Sequence, residues 1–239
     1  MRKPRREKGD VIMGRTYVMS DIHGMAELLE RMLRKIAFSP EDTLYILGDM
    51  IDRGPDPAGV IELAASRENI VALKGNHEDM FAEWYEYTAD KSEGYFYNTY
   101  RILMSRASTR EKLPEYVRWM KKLPLYKKVK IKDTCYILAH ASTQGVFELW
   151  KKKDTFLWES EVTGDGKSFP GYISIVGHVP AFILRGYPKE PAAIWRRPDG
   201  KLLDIDCGAA FPEHGGRLAC LCLETGEEFY VSAADVPQL

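Results

Sequence analysis

The feature that most constrains this chain is the stretch from Thr43 to Pro57, Thr-Leu-Tyr-Ile-Leu-Gly-Asp-Met-Ile-Asp-Arg-Gly-Pro-Asp-Pro. It opens as a short apolar run of β-forming residues, the pattern of a buried strand. It then breaks on Gly48-Asp49 and again on Asp52-Arg53-Gly54-Pro55. In open α/β sheets, ligands bind just outside the carboxyl ends of the strands. A strand that delivers two carboxylates and an arginine there, and then stops, is building a site around Asp49.

The same grammar recurs. Arg15 to Met19 is a β-like run closed by Ser20-Asp21-Ile22-His23-Gly24, and Asn69 to Leu73 is another closed by Lys74-Gly75-Asn76-His77-Glu78. Between them, Leu28, Leu29, Met32, Leu33 and Ile36 recur at helical spacing, and Pro57 to Ala65 reads as a second helix. Strand alternating with helix predicts βαβ units. Residues 79–126 read as a helical insertion broken at Pro114 and Pro124, whose many aromatics either line a substrate wall or form the insertion's own core. Strands resume at Thr134 to Ala139, ending in His140, and at Tyr172 to Val176, ending in Gly177-His178; residues 150–171 read as loop. Four further β runs follow, with turn signals at Pro198-Asp199-Gly200 and Thr225-Gly226. The expected fold is α/β, a sandwich of two mixed sheets flanked by helices, with the late hairpins supplying the second sheet. Residues 14–239 read as a single domain behind a basic, disordered tail at 1–13.

Composition matters for what it excludes. The formal net charge is −1, so no electrostatic argument favours a nucleic acid or membrane partner. No apolar run approaches the length of a membrane span, and no apolar segment follows the basic tail as in a signal peptide. Cys135, Cys207, Cys220 and Cys222 lie mostly in apolar strand-like runs and read as reduced core thiols, which fits a cytoplasmic location.

Four of the five histidines stand at or just past a strand end, accompanied by Asp21, Asp49, Asp52 and Asn76. Carboxylates, imidazoles and an amide oxygen suit divalent metals such as Mn, Fe or Zn. Six candidates exceed the four ligands of a single tetrahedral zinc and favour two ions sharing a carboxylate.

Ser20-Asp-Ile-His-Gly24, Gly48-Asp-Met-Ile-Asp-Arg-Gly54 and Gly75-Asn-His-Glu78 resemble the three signature motifs of the phosphoprotein phosphatase branch of calcineurin-like metallophosphoesterases. His140 and Gly177-His178 are similar to that branch's last two metal histidines. The strong match is to bacterial serine/threonine protein phosphatases, and it spans residues 20 to 178. The resemblance implies that Asp21, His23 and Asp49 hold one metal, while Asp49, Asn76, His140 and His178 hold a second, with Mn as the expected ion. It implies in-line attack on phosphorus by a hydroxide bridging the metals. His77 would be the general acid, oriented by Asp52, and Arg53 would bind phosphate. By residue type alone, His77 could instead be a third ligand, and Arg53 could simply pair with Asp52 or Asp56. Glu78 reads as a helix cap and His214 as a surface loop residue. The family also supplies a phosphate-binding arginine after a Trp-Asp or Trp-Glu pair. Here Trp158-Glu159 is followed by Ser160, so Arg101, Arg106 or Arg185 would have to replace it, and Lys74 stands where arginine is common.

The expected activity is hydrolysis of phosphoserine and phosphothreonine in a phosphoprotein or a small phosphorylated substrate. A dinucleoside polyphosphate hydrolase of the diadenosine tetraphosphate type is the alternative; its symmetrical members typically differ at the position of Asp52. A catalytically silent module binding a phospho-ligand is the non-enzyme alternative. The oligomeric state is left open.

Overall fold

The computed structural model describes residues 14–146, 152–162, 168–187 and 190–232; the basic tail lies outside them. The chain begins as β1 (Thr16–Met19), α1 (Ala26–Lys35), β2 (Thr43–Ile46), α2 (Pro57–Ala65) and β3 (Ile70–Ala72). The three strands pair in parallel in that order, in register Tyr17 with Leu44 and Tyr45 with Val71. Parallel pairing follows from the helical crossovers, since each helix returns the chain to the same edge. The α1 helix buries Leu28, Leu29, Met32 and Leu33 against this sheet and places Glu27 in its first turn and Arg34 and Lys35 in its last, as the helix dipole favours. The α2 helix starts at Pro57, with Asp56 accepting from the Gly59 backbone N–H at 3.0 Å.

Three helices follow, α3 (Asn76–Tyr87), α4 (Tyr97–Ser105) and α5 (Ala107–Lys122). Pro114 was expected to break this region, yet α5 runs through it. Leu113, Tyr116, Val117 and Met120 are buried with Phe81 and Phe96 in one apolar cluster, and that packing overrides the local cost of proline. The chain then forms β4 (Tyr126–Ile131), β5 (Thr134–Ala139), α6 (Lys152–Trp158), β6 (Ile173–Val176), α7 (Ala181–Leu184), β7 (Trp195–Arg196), β8 (Leu202–Asp204), β9 (Arg217–Cys222) and β10 (Glu228–Ser232).

Two five-stranded sheets result, in the orders β10-β9-β1-β2-β3 and β4-β5-β6-β8-β7. Both are mixed, and the sandwich has the expected class. Three local expectations are corrected. Residues 150–171 contain the helix α6, where Thr155, Phe156 and Leu157 turn inward. The strand β4 was missed because Lys127, Lys128 and Lys130 mask its pattern; it is an edge strand, where lysines are common. Only the β7–β8 hairpin joins the second sheet; β9 and β10 extend the first, with β9 antiparallel to β1. Val18, Leu47, Leu138, Ile175, Leu203 and Leu221 fill the space between the sheets. All four cysteines are free, and Cys207, Cys220 and Cys222 are buried. Among the described residues no helix is long and apolar enough to cross a membrane.

Candidate metal centre

Strands β1, β2 and β3 of one sheet and β5, β6 and β8 of the other all end toward one place. The loop after β1 carries Asp21 and His23, and the loop after β2 carries Asp49, Asp52 and Arg53. These loops are zipped by His23 N–H to Asp49 O (2.8 Å), Gly24 N–H to Met50 O (2.8 Å) and Gly54 N–H to His23 O (2.9 Å). Gly48 is set by the loop after β3: its φ is +98°, and a Cβ there would lie 2.4 Å from the Gly75 nitrogen. Asp21, His23, Asp49, Asp52, Arg53 and His178 also take positive φ, six of the nine non-glycine residues that do so among those described. Strained backbone concentrated at one place marks a functional site.

Asp49 sits at the centre. Its Oδ2 is 3.8 Å from His23 Nε2, 3.7 Å from His77 Nε2 and 3.5 Å from His140 Nε2. The Asn76 amide lies 2.9 Å from His140 Nε2 and 3.1–3.2 Å from the two Asp49 oxygens. Asp21 Oδ1 is 4.0 Å from His23 Nε2, while its Oδ2 accepts from Ser20 Oγ and from the His178 backbone N–H (3.1 Å). His178 Nδ1 is 3.2 Å from His140 Nε2. Among the described residues, two groups of donors have ligand atoms within 4.8 Å of one another: His23, Asp49 and His77, and Asp49, His140 and His178. His23 and His140 each turn Nδ1 to a backbone carbonyl, Ile51 O and Leu47 O, both at 3.0 Å. That arrangement fixes the tautomer and leaves Nε2 free to ligate.

The charge state fits a cation. Burial, followed by the neighbouring His77, keeps His23 neutral, and burial together with His140 lowers His178 to about 4. Burial pushes Asp49 well above the usual carboxylate range, with Asp21 and Glu78 adding to the effect. A divalent ion supplies the positive charge that buried carboxylates among neutral imidazoles lack. His77 differs from the other two. Burial lowers it, but the 2.9 Å bond from Nδ1 to Asp52 Oδ2 and the charge of Asp49 outweigh burial and raise it. Asp52 takes a further bond from Thr99 Oγ1 at 2.7 Å; burial opposes its ionisation, yet these two bonds hold it at about 2. Arg53 is exposed, its guanidinium 4.8 Å above the Phe211 ring.

Other expected residues fall elsewhere. Arg185 reaches Ile194 O, Lys74 reaches Lys121 O and lies 3.5 Å from Asp79, and Arg101 and Arg106 are exposed on α4 and at its end. Glu78 does more than cap a helix. It is fully buried and accepts from the backbone N–H groups of Asp49 (2.9 Å), Met50 (2.7 Å), Ile51 (3.3 Å) and Gly75 (2.9 Å). Sequence reasoning missed Asp204 and Asp206, buried at the end of β8; burial, with each other or Asp21 next, raises both well above the ordinary range. The signal was present: Leu202 to Ile205 followed by Asp206-Cys-Gly208 repeats the strand, carboxylate and glycine order of the earlier loops.

Comparison with known proteins agrees. Over 166 residues the chain is 30% identical to a symmetrical bis(5'-nucleosyl)-tetraphosphatase of Acidovorax sp. strain JS42, covering 66% of this chain and 54% of that protein. Over 154 residues it is 32% identical to serine/threonine-protein phosphatase 1 of Salmonella typhimurium strain LT2, covering 61% of this chain and 68% of that one. The chain thus spans about half the length of the tetraphosphatases it matches. A protein serine/threonine phosphatase structure from Saccharomyces cerevisiae superposes with a TM-score of 0.62 at 16% identity, over 96% of this chain and 83% of that one, which shows a shared fold. The model of the calcineurin-like phosphoesterase family matches residues 14–205. With its strand-end donors drawn around Asp49, this chain belongs to the calcineurin-like phosphoesterase family.

Proposed function

We propose that this chain hydrolyses phosphomonoesters of serine and threonine, in a phosphoprotein or a small phosphorylated molecule, with two divalent metal ions. The observation that carries the reading is the Asp52–His77 pair. Its Nδ1–Oδ2 distance is 2.9 Å, and Thr99 grips the other carboxylate oxygen at 2.7 Å. An alkoxide is a poor leaving group and needs a proton in the transition state; imidazole delivers one near neutral pH. The carboxylate on Nδ1 leaves Nε2, 3.7 Å from Asp49 Oδ2, to carry the proton toward the leaving oxygen. His77 is therefore the acid and Asp52 the group that orients it.

Asp21, His23 and Asp49 would hold one ion, and Asp49, Asn76, His140 and His178 the other, with Mn the expected metal and Fe or Zn the alternatives. When bound, the ions supply the activated water and neutralise the phosphoryl oxygens. Arg53 offers its planar fork to the remaining oxygens, steadied by the face of Phe211.

A second reading, hydrolysis of dinucleoside tetraphosphates, is favoured by the name that the Acidovorax relative carries and by Ser160 standing where the phosphatases supply an arginine. The test is phosphate release from a phosphothreonine peptide by metal-stripped protein, before and after Mn²⁺. Release only with metal, and none in Asp49→Asn, is expected. No release by protein that rebinds metal would overturn the monoester reading and make diadenosine tetraphosphate the next substrate. Turnover of neither would leave a phospho-ligand binding module.

A further inference from the structure

We propose that the site accepts, beyond serine and threonine esters, phosphoesters whose leaving group carries a flat ring, and binds them more tightly. The ring is received by Tyr95 beside His77, with Trp158 at the far end of the site; the idea goes beyond the serine/threonine substrates and rests on the phosphomonoesterase reading. The aromatics of the insertion divide into two groups. Phe81 and Phe96 are buried, and Trp84, Tyr85 and Tyr100 pack against them; Tyr95 stands at the edge of that core, one side of its ring 4.8 Å from Phe96 and the rest open. Tyr95 is 64% exposed and Trp158 is 45% exposed.

Both stand at the metal-ligand candidates rather than at random. The Tyr95 ring centroid is 6.0 Å from that of His77, which is 4.8 Å from that of His23. The Trp158 ring is 6.3 Å from His178, edge to face, and His178 is 5.0 Å from His140. Asp49 joins the two series, 3.7 Å from His77 and 3.5 Å from His140. A row of rings thus crosses the site, its buried middle polar and each end closed by an exposed aromatic carried on a different element. The Tyr95 ring, 6.0 Å from that of His77, thus stands beside the acid that serves the leaving oxygen. With His77 protonating the leaving oxygen, a phosphoryl group at the middle would turn its leaving group toward the Tyr95 end.

Flat rings gain from stacked or edge-to-face contact with aromatic side chains, whereas an alkyl chain gains only burial. The reaction balances as a hydrolysis. The water oxygen bonds to phosphorus, and the phosphorus–oxygen bond to the leaving group breaks with its electron pair. The departing oxygen is then released as phenol or alcohol with a proton from His77. An aryl ester and a nucleotide share this chemistry.

Binding of phenylphosphonate and ethylphosphonate to the Mn²⁺-loaded protein, measured by calorimetry, tests the proposal without turnover. The phenyl compound is expected to bind about fivefold to tenfold more tightly. Tyr95→Ala should remove most of that preference, Tyr95→Phe should keep it, and Trp158→Ala should reduce it less. Adenosine 5'-monophosphate as a third probe separates a nucleobase from a simple aryl ring, the tighter of the two marking the source. Equal affinities in the wild-type protein, no measurable binding of either phosphonate, or a preference that survives both alanine variants overturns the proposal, even where phosphothreonine is hydrolysed. A ring preference in a protein that turns over no monoester sustains the ring subsite and sinks the hydrolytic reading instead.

Discussion

Each sheet holds its share of the site with a buried glutamate, but the two latches differ. On the first sheet, Glu78 takes four backbone N–H groups from two loops and clamps the strained turn at Asp49. On the second, Glu161 takes the backbone N–H and hydroxyl of Thr143 (2.6 and 2.7 Å), three residues past His140, and its Oε1 has no partner among the described residues. The first sheet carries Asp21, His23, Asp49, Asn76 and the Asp52–His77 pair, while the second contributes the imidazoles of His140 and His178. Five of the six positive-φ site residues and the proton-carrying pair therefore sit on the sheet that Glu78 clamps, while the second sheet adds His178 and the buried Asp204 and Asp206. A positive-φ turn costs roughly 1–3 kcal/mol and persists only where its surroundings over-determine it.

The sharpest way to break this contrast is Asp49→Asn, which removes the carboxylate common to both groups of donors. Phosphate release should fall to background, beyond the ~10,000-fold that loss of a general acid can explain, and metal analysis should show both ions lost. Next is His77→Asn, on the first sheet alone. It should lower kcat on an alkyl phosphoester by about 100- to 10,000-fold, and much less on p-nitrophenyl phosphate, whose leaving group needs no acid. An equal loss on both substrates would make His77 a ligand.

The latches themselves come third. Glu78→Ala strands four buried donors and should destabilise the protein by ~4 kcal/mol or more, at ~1–3 kcal/mol per unmade buried bond. Glu161→Ala should cost ~1–3 kcal/mol, since it strands the Thr143 N–H while the Thr143 hydroxyl keeps Ser174 at 2.8 Å. Urea unfolding measures both, and equal values would erase the difference between the sheets. The smallest effect is Thr99→Val, which removes one bond to Asp52 and should lower kcat about threefold to tenfold.

The same pair sets a pH dependence. Asp52 is depressed to about 2, so its contribution is present at neutral pH and is lost as pH falls toward that value. His77 is raised above its ordinary 6.5, so its contribution is present below 6.5 and is lost as pH rises through the folded value. If His77 is the acid, kcat falls on the alkaline side. Asp52→Asn should move that fall to lower pH in a pH–rate profile, and an unmoved limb would separate it from His77.

Much of this was legible in the chain. The strands ending in Asp21, Asp49, Asn76, His140 and His178 announce themselves because an apolar run followed by a small residue and a polar side chain is a local pattern, set by near neighbours. The α6 helix was not legible, since Lys152 to Trp158 mixes lysines with a short apolar end that becomes inward-facing only once the core exists. Nor was the helix through Pro114, where burial of Leu113 and Tyr116 overrides a local breaker. Glu78 looked like a cap because its first partner, Gly75, is three residues away; its other partners are 27 to 29 residues distant.

By itself the sequence determined the order of strand-end loops and the chemistry each one carries, since residue type and spacing decide both. Only the tertiary structure decided that the last hairpin completes the first sheet, that Thr99 grips Asp52, that Asp204 and Asp206 lie buried beside the site, and that Phe211 lies under Arg53. These are contacts between residues far apart in the chain. They form only where two sheets and an insertion pack, and no local propensity encodes them.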